Sequence, residues 1–189
     1  MMTDLPQRGA LPDDLTFLLK KYPREEWPGN PKLGQTGAFW LQRHGMFREL
    51  GGLLLNGTTS YWEEKIGADD FRQWFIPRLQ FFLSSLNDHH RIEDTAYFPA
   101  FQKAEPNLAR GFEILDQDHH ILHDAIERQV QTVNTLLQTE AGQADALRRA
   151  ADAHATASAS MVTMLQRHLD DEEDLIIPLL MDRGEGTIL

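Results

Sequence analysis

Two segments of the chain repeat one pattern, in which a histidine is followed four residues later by a glutamate. They are His89 and Glu93 in HHRIEDTAYFPAF, and His168 and Glu172 in HLDDEEDLIIPLL. On an α-helix, a step of four residues rotates the side chain by only about 40°, so each pair projects from one face. Both pairs lie among apolar residues. The pattern therefore predicts two helices that present imidazole and carboxylate groups to a core.

Further histidines fit the same arrangement. His119 and His123 are also four residues apart, and His44 lies between Leu41 and Phe47. A buried ionised carboxylate is costly unless a cation pairs with it, so glutamates inside a core favour bound metal. Five histidines with two carboxylates favour a transition metal over magnesium or calcium. The candidate ligands are His44, His89, Glu93, His119, His123, His168 and Glu172, and no separate catalytic residue is indicated.

Two residues within the first segment, HHRIEDTAYFPAF, have alternative interpretations. His90 lies on an alternative apolar face of the same helix, with Leu79 and Tyr97. It could therefore hold the metal ligands in place or be an additional ligand itself. The repeated pattern favours His89 over His90. Tyr97 lies one turn after Glu93 and is a candidate redox or proton partner, although a tyrosine at this spacing usually serves packing.

Other histidines and tryptophans are expected to lie outside the site. His120 is rotated by about 100° from His119 and should face solvent or a helix boundary. His154 precedes His168 by fourteen residues, about 21 Å along a helix, so it should not reach the same site. Trp40 is interpreted as core packing rather than as a contact of a cofactor.

Helical periodicity extends over most of the chain after Thr36. The predicted helices are 37–55, ending at Asn56-Gly57; 77–103, with Phe82, Leu86, His89, Glu93, Ala96 and Ala100 inward; Phe112 to Leu137; and a fourth after Gly142 that extends through Leu179. Phe71 to Phe75 could form a separate turn before Pro77. No segment shows the alternation typical of strands. The predicted fold is all-α, an up-down-up-down four-helix bundle with an irregular N-terminal arm.

The turn signals also bear on where the ligands meet. Gly67, Pro106 and Gly142 lie close to the midpoints between successive ligand sets along the chain. In antiparallel helices, residues equidistant from a turn lie at one level. The four ligand sets are therefore expected at one height of the bundle.

Composition limits the remaining choices. Five of the nine prolines lie in the first 31 residues, where only DDLTFLLKKY could form a short helix. We expect an arm at 1–36, a bundle at 37–183 and a tail at 184–189. The chain has no cysteine, which excludes disulfides and thiolate metal sites.

Charge and hydropathy indicate where the protein is expected to act. The net charge of −11 argues against binding to nucleic acid or to an anionic membrane. The N-terminal sequence has no basic and apolar regions typical of a signal peptide, and no stretch approaches the ~18 apolar residues of a membrane span. A cytoplasmic location is expected.

The ordered set of His44, His89-x3-Glu93, His119-x3-His123 and His168-x3-Glu172 resembles the hemerythrin family, with its His-His-Glu cation-binding motif, over 37–183. The resemblance implies one iron on His119, His123 and His168, a second on His44 and His89, and bridging by Glu93 and Glu172. The implied cofactor is an oxo- or hydroxo-bridged pair of iron ions, and other transition metals also suit these ligands. An open coordination position is implied at a small apolar pocket.

One departure from the family affects the expected function. Oxygen-carrying members have an aspartate five residues after the histidine of the fourth helix, whereas Glu172 follows His168 at four. This spacing is similar to that of the sensor and iron-handling branches. We therefore expect a non-heme diiron protein that binds or senses dioxygen, nitric oxide or peroxide, or handles iron. The alternatives are a diiron enzyme of peroxidase or ferroxidase type, and a metal-stabilised structural or interaction bundle.

Overall fold

The structure is a computed structural model that describes residues 4–139 and 143–188. All regular structure within these ranges is helical, with no strand, which confirms the predicted all-α class. Gly142, the predicted break before the fourth helix, lies outside the described residues, as do residues 1–3 and Leu189. None of the described helices is long and apolar enough to cross a membrane.

Four long helices form the body of the molecule. They are α2 (Gln35–Trp62), α3 (Ala68–Ile92), α5 (Ala109–Gln138) and α6 (Ala144–Arg183). Helix α2 packs against α3 and α6, and α5 packs against the same two helices, so the contacts close into a ring. The shorter helices are α1 (Phe17–Lys21), α4 (Phe98–Ala104) and α7 (Glu185–Ile188), and 3-10 turns lie at Leu5–Gln7, Arg24–Glu26 and Pro106–Leu108.

The first long helix extends beyond its predicted end. The prediction that it stops at Asn56-Gly57 is wrong, because α2 continues to Trp62. A Cβ atom at position 57 would overlap the ring of Trp74 on α3. Gly57 thus allows two helices to approach closely and does not act as a stop.

The second long helix begins earlier than predicted. Helix α3 starts at Ala68 and contains Pro77 in its interior, so the predicted separate turn before Pro77 is wrong. An interior proline removes a backbone hydrogen bond. Burial of aromatic rings offsets this cost, since Phe71 stacks on Tyr61 with ring centroids 4.5 Å apart and Phe75 is fully buried.

A π-turn at Glu93–Tyr97 joins α3 to α4 without interrupting the helical chain. A π-turn contains one extra residue per turn, so it shifts the register of everything after it. Phe98 and Phe101 are buried, whereas Ala96 is exposed. The predicted inward stripe through Ala96 and Ala100 is therefore wrong, because the buried positions after the π-turn are Phe98 and Phe101.

The N-terminal arm packs onto the bundle. The short helix predicted between Pro12 and Pro23 is present as α1. Buried apolar residues of the arm join the same core cluster as the end of α6; they are Leu11, Leu15, Leu18, Tyr22 and Trp27. The division of the chain into arm, bundle and tail stays a prediction, but the arm is part of the packed core.

The segment after α6 contacts the start of the bundle. The carboxylate of Glu185 accepts hydrogen bonds from the backbone amides of Thr36, at 3.0 Å, and Gly37, at 2.8 Å. These amides are among the first of α2, which have no partner inside the helix. Glu185 thereby caps α2 at its positive end.

The apolar core consists of two clusters, one around the end of α6 and the arm, the other around α2 and α3. Buried polar residues lie where the clusters meet. On α2, for example, His44 lies between Trp40 of the first cluster and Phe47 of the second. A polar layer therefore crosses the bundle.

Candidate metal centre

Seven buried or nearly buried residues meet in this polar layer. Helix α2 contributes His44, α3 contributes His89 and His90, the π-turn begins with Glu93, α5 contributes His119, and α6 contributes His168 and Glu172. Their candidate ligand atoms form two groups. All four long helical segments thus supply the layer.

The first group consists of three histidines, His90, His119 and His168, whose ligand atoms lie within 4.8 Å of one another. The Nε2 atoms of His119 and His168 are 3.2 Å apart. All three side chains are buried. Three convergent imidazole nitrogens are a common ligand set for a transition metal.

The second group consists of two histidines and two carboxylates, His44, His89, Glu93 and Glu172. The Nε2 atoms of His44 and His89 are 3.2 Å apart. Nε2 of His89 lies 2.9 Å from Oε1 of Glu93, and Nε2 of His44 lies 3.4 Å from Oε2 of Glu172. This group could hold a second ion.

Each glutamate reaches both groups. Oε2 of Glu93 lies 3.6 Å from Nε2 of His119, and Oε2 of Glu172 lies 3.6 Å from Nε2 of His168. Both histidines belong to the first group, whereas both glutamates belong to the second. The two glutamates are thus placed to bridge two ions.

The glutamates are buried without adequate partners. Among the described residues, both oxygens of Glu93 and Oε2 of Glu172 lack a hydrogen-bond partner with suitable geometry, as does Nε2 of His90. Burial raises the pKa of Glu93 to about 8, and burial together with repulsion from Glu93 raises the pKa of Glu172 well above its usual range. Such orphaned atoms are costly in an interior. Metal cations at the two groups would satisfy them, so the residues present fit a metal site.

Three of the histidines, His89, His90 and His168, are suited to bind metal because burial keeps them neutral. Burial lowers the pKa of His89 to about 4, and burial with the neighbouring histidines lowers the pKa values of His90 and His168 well below the usual value. A neutral imidazole offers a lone pair to a metal, whereas a protonated one does not.

Outer carboxylates orient the histidine rings through their Nδ1 atoms. Glu173 contacts His44 at 3.0 Å, Asp94 contacts His119 at 2.7 Å and Asp118 contacts His168 at 3.4 Å. These contacts leave each Nε2 directed at the centre, as in metal sites where a carboxylate supports a histidine ligand. None of these three acids was predicted from the sequence.

A sequence signal for these acids exists in their position. Asp94 follows Glu93, Glu173 follows Glu172, and Asp118 precedes His119. A residue next to a ligand is rotated by about 100° on a helix, so it faces the neighbouring helix rather than the ion. From there it can reach the far side of a histidine on another helix.

The structure does not bring His123 to either group. Its side chain is 59% exposed, and Nδ1 lies 3.8 Å from Glu127 on the same helix. The buried stripe of α5 passes through His119 and then Leu122, and His123 is about 100° further round the helix. His90 occupies the place in the three-histidine group that was expected for His123.

The remaining residues singled out in the sequence lie around the centre or away from it. His120 is exposed, as expected. His154 is buried and contacts Thr132 at 3.1 Å, outside both groups. Trp40 is buried, but its indole N–H also donates to Oε1 of Glu172 at 3.1 Å, so it is more than packing. Tyr97 meets the Trp40 ring edge-on, with centroids 4.9 Å apart.

A pocket of about 290 Å³ opens beside the three-histidine group. His90 and His119 form its inner wall, and Asp94, Arg91, His120 and His123 lie among its outer lining residues. A small molecule in this pocket would reach the edge of the metal-binding layer.

Residues 37–184 match the family described as "Hemerythrin HHE cation binding domain". The match includes all seven residues of the two ligand groups and excludes the N-terminal arm. The chain has no significant match among curated proteins or among solved structures.

Proposed function

Because the chain belongs to the hemerythrin HHE cation-binding family, we propose that it is a diiron protein in which two irons occupy the two ligand groups. The observation that carries the proposal is the pair of buried glutamates, each within 3.6 Å of a histidine from the other group. An up-down-up-down order of the four long helices is part of the proposal, because their short connections favour antiparallel neighbours.

The proposed ligand sets follow from the two groups. One iron would be held by His90, His119 and His168, and the other by His44 and His89. Glu93 and Glu172 would bridge them. This assignment replaces His123 by His90 and keeps the expected balance of five histidines and two carboxylates, which suits iron and other transition metals.

We propose a small oxygen- or nitrogen-containing molecule, such as dioxygen, nitric oxide or peroxide, as the ligand. The pair of irons would supply the electrons and the open coordination that such ligands require. The protein would limit the ligand to a size that fits the pocket beside His90 and His119. The aromatic rings of Phe98 and Phe47, whose centroids lie 5.5 Å from His119 and 5.1 Å from His89, would exclude water.

A diiron enzyme of the peroxidase type is the second candidate, and a specific contact favours it. The indole N–H of Trp40 donates to Glu172, and the Trp40 ring contacts half-buried Tyr97. Two oxidisable rings in series would connect the centre with the surface. This connection suits one-electron oxidation of a substrate outside the core.

Metal analysis coupled to optical spectroscopy tests the proposal. The protein reconstituted with ferrous iron should contain close to two irons per chain, and its spectrum should change on exposure to dioxygen or nitric oxide. One iron or fewer per chain would contradict the diiron centre. Steady-state peroxide turnover that falls in Tyr97→Phe would favour the enzyme, whereas ligand-dependent spectra without turnover favour the binding protein.

A further inference from the structure

An arginine of the N-terminal arm is buried beside the three-histidine group. Only 8% of Arg8 is exposed. Its guanidinium forms ion pairs with both oxygens of Asp118 and, through Nε at 2.8 Å, with Asp171. Asp118 in turn contacts Nδ1 of His168 at 3.4 Å. A continuous chain of contacts therefore leads from the arm to a proposed ligand.

A second arginine of the arm reaches the other group in the same way. Arg24 contacts Glu173 through Nη1 at 2.8 Å and Asp174 through Nε at 2.6 Å, and its Nη2 donates to the carbonyl of Asp170 at 2.7 Å. Glu173 contacts Nδ1 of His44 at 3.0 Å. The arm thus contacts the supporting carboxylate of one histidine in each group.

We infer that Arg8 and Arg24 are positioning residues, through which the N-terminal arm (residues 4–34) holds His168 and His44 in their metal-binding orientations. The inference rests on the proposed diiron function and assigns a role to a segment outside the family match. The species bound is the metal cation. Contacts of the arm would slow the dissociation of both ions from the protein.

The geometry of the arginines explains why arginine is required. A guanidinium presents several N–H groups in a fixed plane, so Arg8 can pair with two carboxylates at once and fix both. Removing it would leave buried Asp118 without an ion-pair partner among the described arginines and lysines, whereas Asp171 would keep Arg167, whose Nη2 lies 2.6 Å from Oδ1. Asp118 would then no longer be fixed against His168.

The position of the arm does not depend on these ion pairs alone. Leu11, Leu15 and Trp27 lie in the core cluster shared with α6, between Arg8 and Arg24 along the chain or just after them. The apolar contacts fix the backbone, and the backbone presents the two guanidinium groups. Displacement of the arm would therefore release both supporting carboxylates together.

The two arginines should differ in strength. Glu173 also pairs with Arg48 of α2, at 2.6 Å, so it keeps a cation when Arg24 is removed. Asp118 has Arg8 as its ion-pair partner among the described arginines and lysines. Loss of a carboxylate that supports a metal-bound histidine reduces metal affinity by about 10–100-fold. We expect an effect in this range for Arg8 and a smaller one for Arg24.

The test is the rate at which the full-length protein, loaded anaerobically with ferrous iron, loses iron to an excess of a ferrous chelator. Arg8→Met should release iron at least about 10-fold faster than the original protein, and Arg24→Met a few-fold faster. Lys21→Met is the matched control, because Lys21 also joins the arm to α6, through Asp182 at 2.5 Å, but contacts no supporting carboxylate. It should release iron at the original rate.

A comparison of two aspartates separates positioning from general loss of stability. Asp118→Asn and Asp171→Asn each break one buried ion pair with Arg8, but only Asp118 contacts a proposed ligand. Asp118→Asn should release iron at the same rate as Arg8→Met. The double variant, Arg8→Met with Asp118→Asn, should release it no faster than either single variant. Asp171→Asn should stay close to the original rate. These aspartate variants also keep the test decisive if Arg8→Met does not fold.

The contrary results are equally definite. If Asp171→Asn releases iron as fast as Asp118→Asn, or if Lys21→Met does so as fast as Arg8→Met, the inference is overturned. If the original protein binds two irons and Arg8→Met retains them equally well, the inference fails while the proposed function stands. If the original protein binds no iron, the proposed function itself fails.

Discussion

The imidazole rings of His90 and His119 stack face to face, with centroids 4.0 Å apart and planes inclined by 11°. The adjacent His89 instead contacts His44, with Nε2 atoms 3.2 Å apart. Two consecutive residues of one helix therefore serve different ligand groups. The helix that carries them therefore contributes a candidate ligand to each group.

This arrangement predicts opposite effects for two histidine variants. His90→Ala should reduce the iron content from about two towards one per chain, since the three-histidine group would keep only two imidazoles. His123→Ala should keep both irons, because His123 lies outside both groups. Elemental analysis after reconstitution measures both. The geometry thus favours the reverse of the expectation from the sequence, in which His123 was a ligand and the repeated pattern favoured His89 over His90.

His89→Ala serves as the positive control and should also lose iron, since His89 belongs to the second group. Retention of two irons by His90→Ala together with loss in His123→Ala would contradict the assignment. It would mean that α5 rotates when metal binds.

A second prediction concerns the pH dependence of the metal-free protein. Burial raises the pKa of Glu93 to about 8, so the folded state holds a proton that the unfolded chain releases near its ordinary pKa. The free energy of unfolding should therefore fall as pH rises from about 6.5 through 8. Histidines with lowered pKa values act in the opposite direction only below about 6.5, where the unfolded histidine gains its proton.

Melting temperatures at about pH 6.5 and 8.5, with and without iron, measure this effect. The metal-free protein should melt lower at the higher pH. The loaded protein should not, because the metal replaces the protons on Glu93 and Glu172. Glu93→Gln removes one titrating group and should flatten the curve of the metal-free form, and an unchanged slope would count against burial of that proton.

A third prediction uses tryptophan fluorescence. The indole of Trp40 donates to the proposed bridging residue Glu172, whereas the ring of Trp62 is 42% exposed. Iron loading should quench fluorescence, and Trp40→Phe should remove the largest part of that quenching. Trp62→Phe is the control and should leave the quenching in place. Equal quenching in both variants would contradict the closeness of Trp40 to the metal.

A fourth prediction tests the close approach of α2 and α3. Gly57→Ala should lower the free energy of unfolding by about 1–3 kcal/mol, because the new Cβ atom overlaps the Trp74 ring. Gly52→Ala on the same helix should be neutral or stabilising by up to about 1 kcal/mol, because a Cβ atom there would lie more than 4 Å from every described atom outside its own stretch of helix. Chemical denaturation measures both. Equal losses would point to a general effect of substituting glycine in α2.

The sequence predicted most of what depends on a regular helical period. The spacing of His168 and Glu172, and of His89 and Glu93, placed them on inward faces, and turn signals aligned them at one level. The π-turn at Glu93–Tyr97 was not predicted, because a stripe is extended by assuming one constant period. The extra residue rotates Phe98 into the core in place of Ala96.

Periodicity within one helix could not predict which residues from distant parts of the chain come into contact. His119 and His123 have the same spacing as His89 and Glu93, and only packing shows that the buried stripe of α5 passes from His119 to Leu122 instead. Arg8 lies in a proline-rich segment without a regular pattern, and its partner Asp118 is 110 residues away. Nothing in the local sequence distinguishes such an arginine from one on the surface.

Helix α6 has a consequence for biosynthesis, because it supplies His168 to one ligand group and Glu172 to the other. At about 5–20 residues per second, a ribosome needs roughly 6 to 26 s to proceed from His44 to Glu172. During that interval the histidines already synthesised cannot form either complete group, because each group includes a residue of α6. A metal ion that needs both helices would therefore be bound only after α6 has been synthesised, and before that point Glu93 would have to be hydrated or protonated.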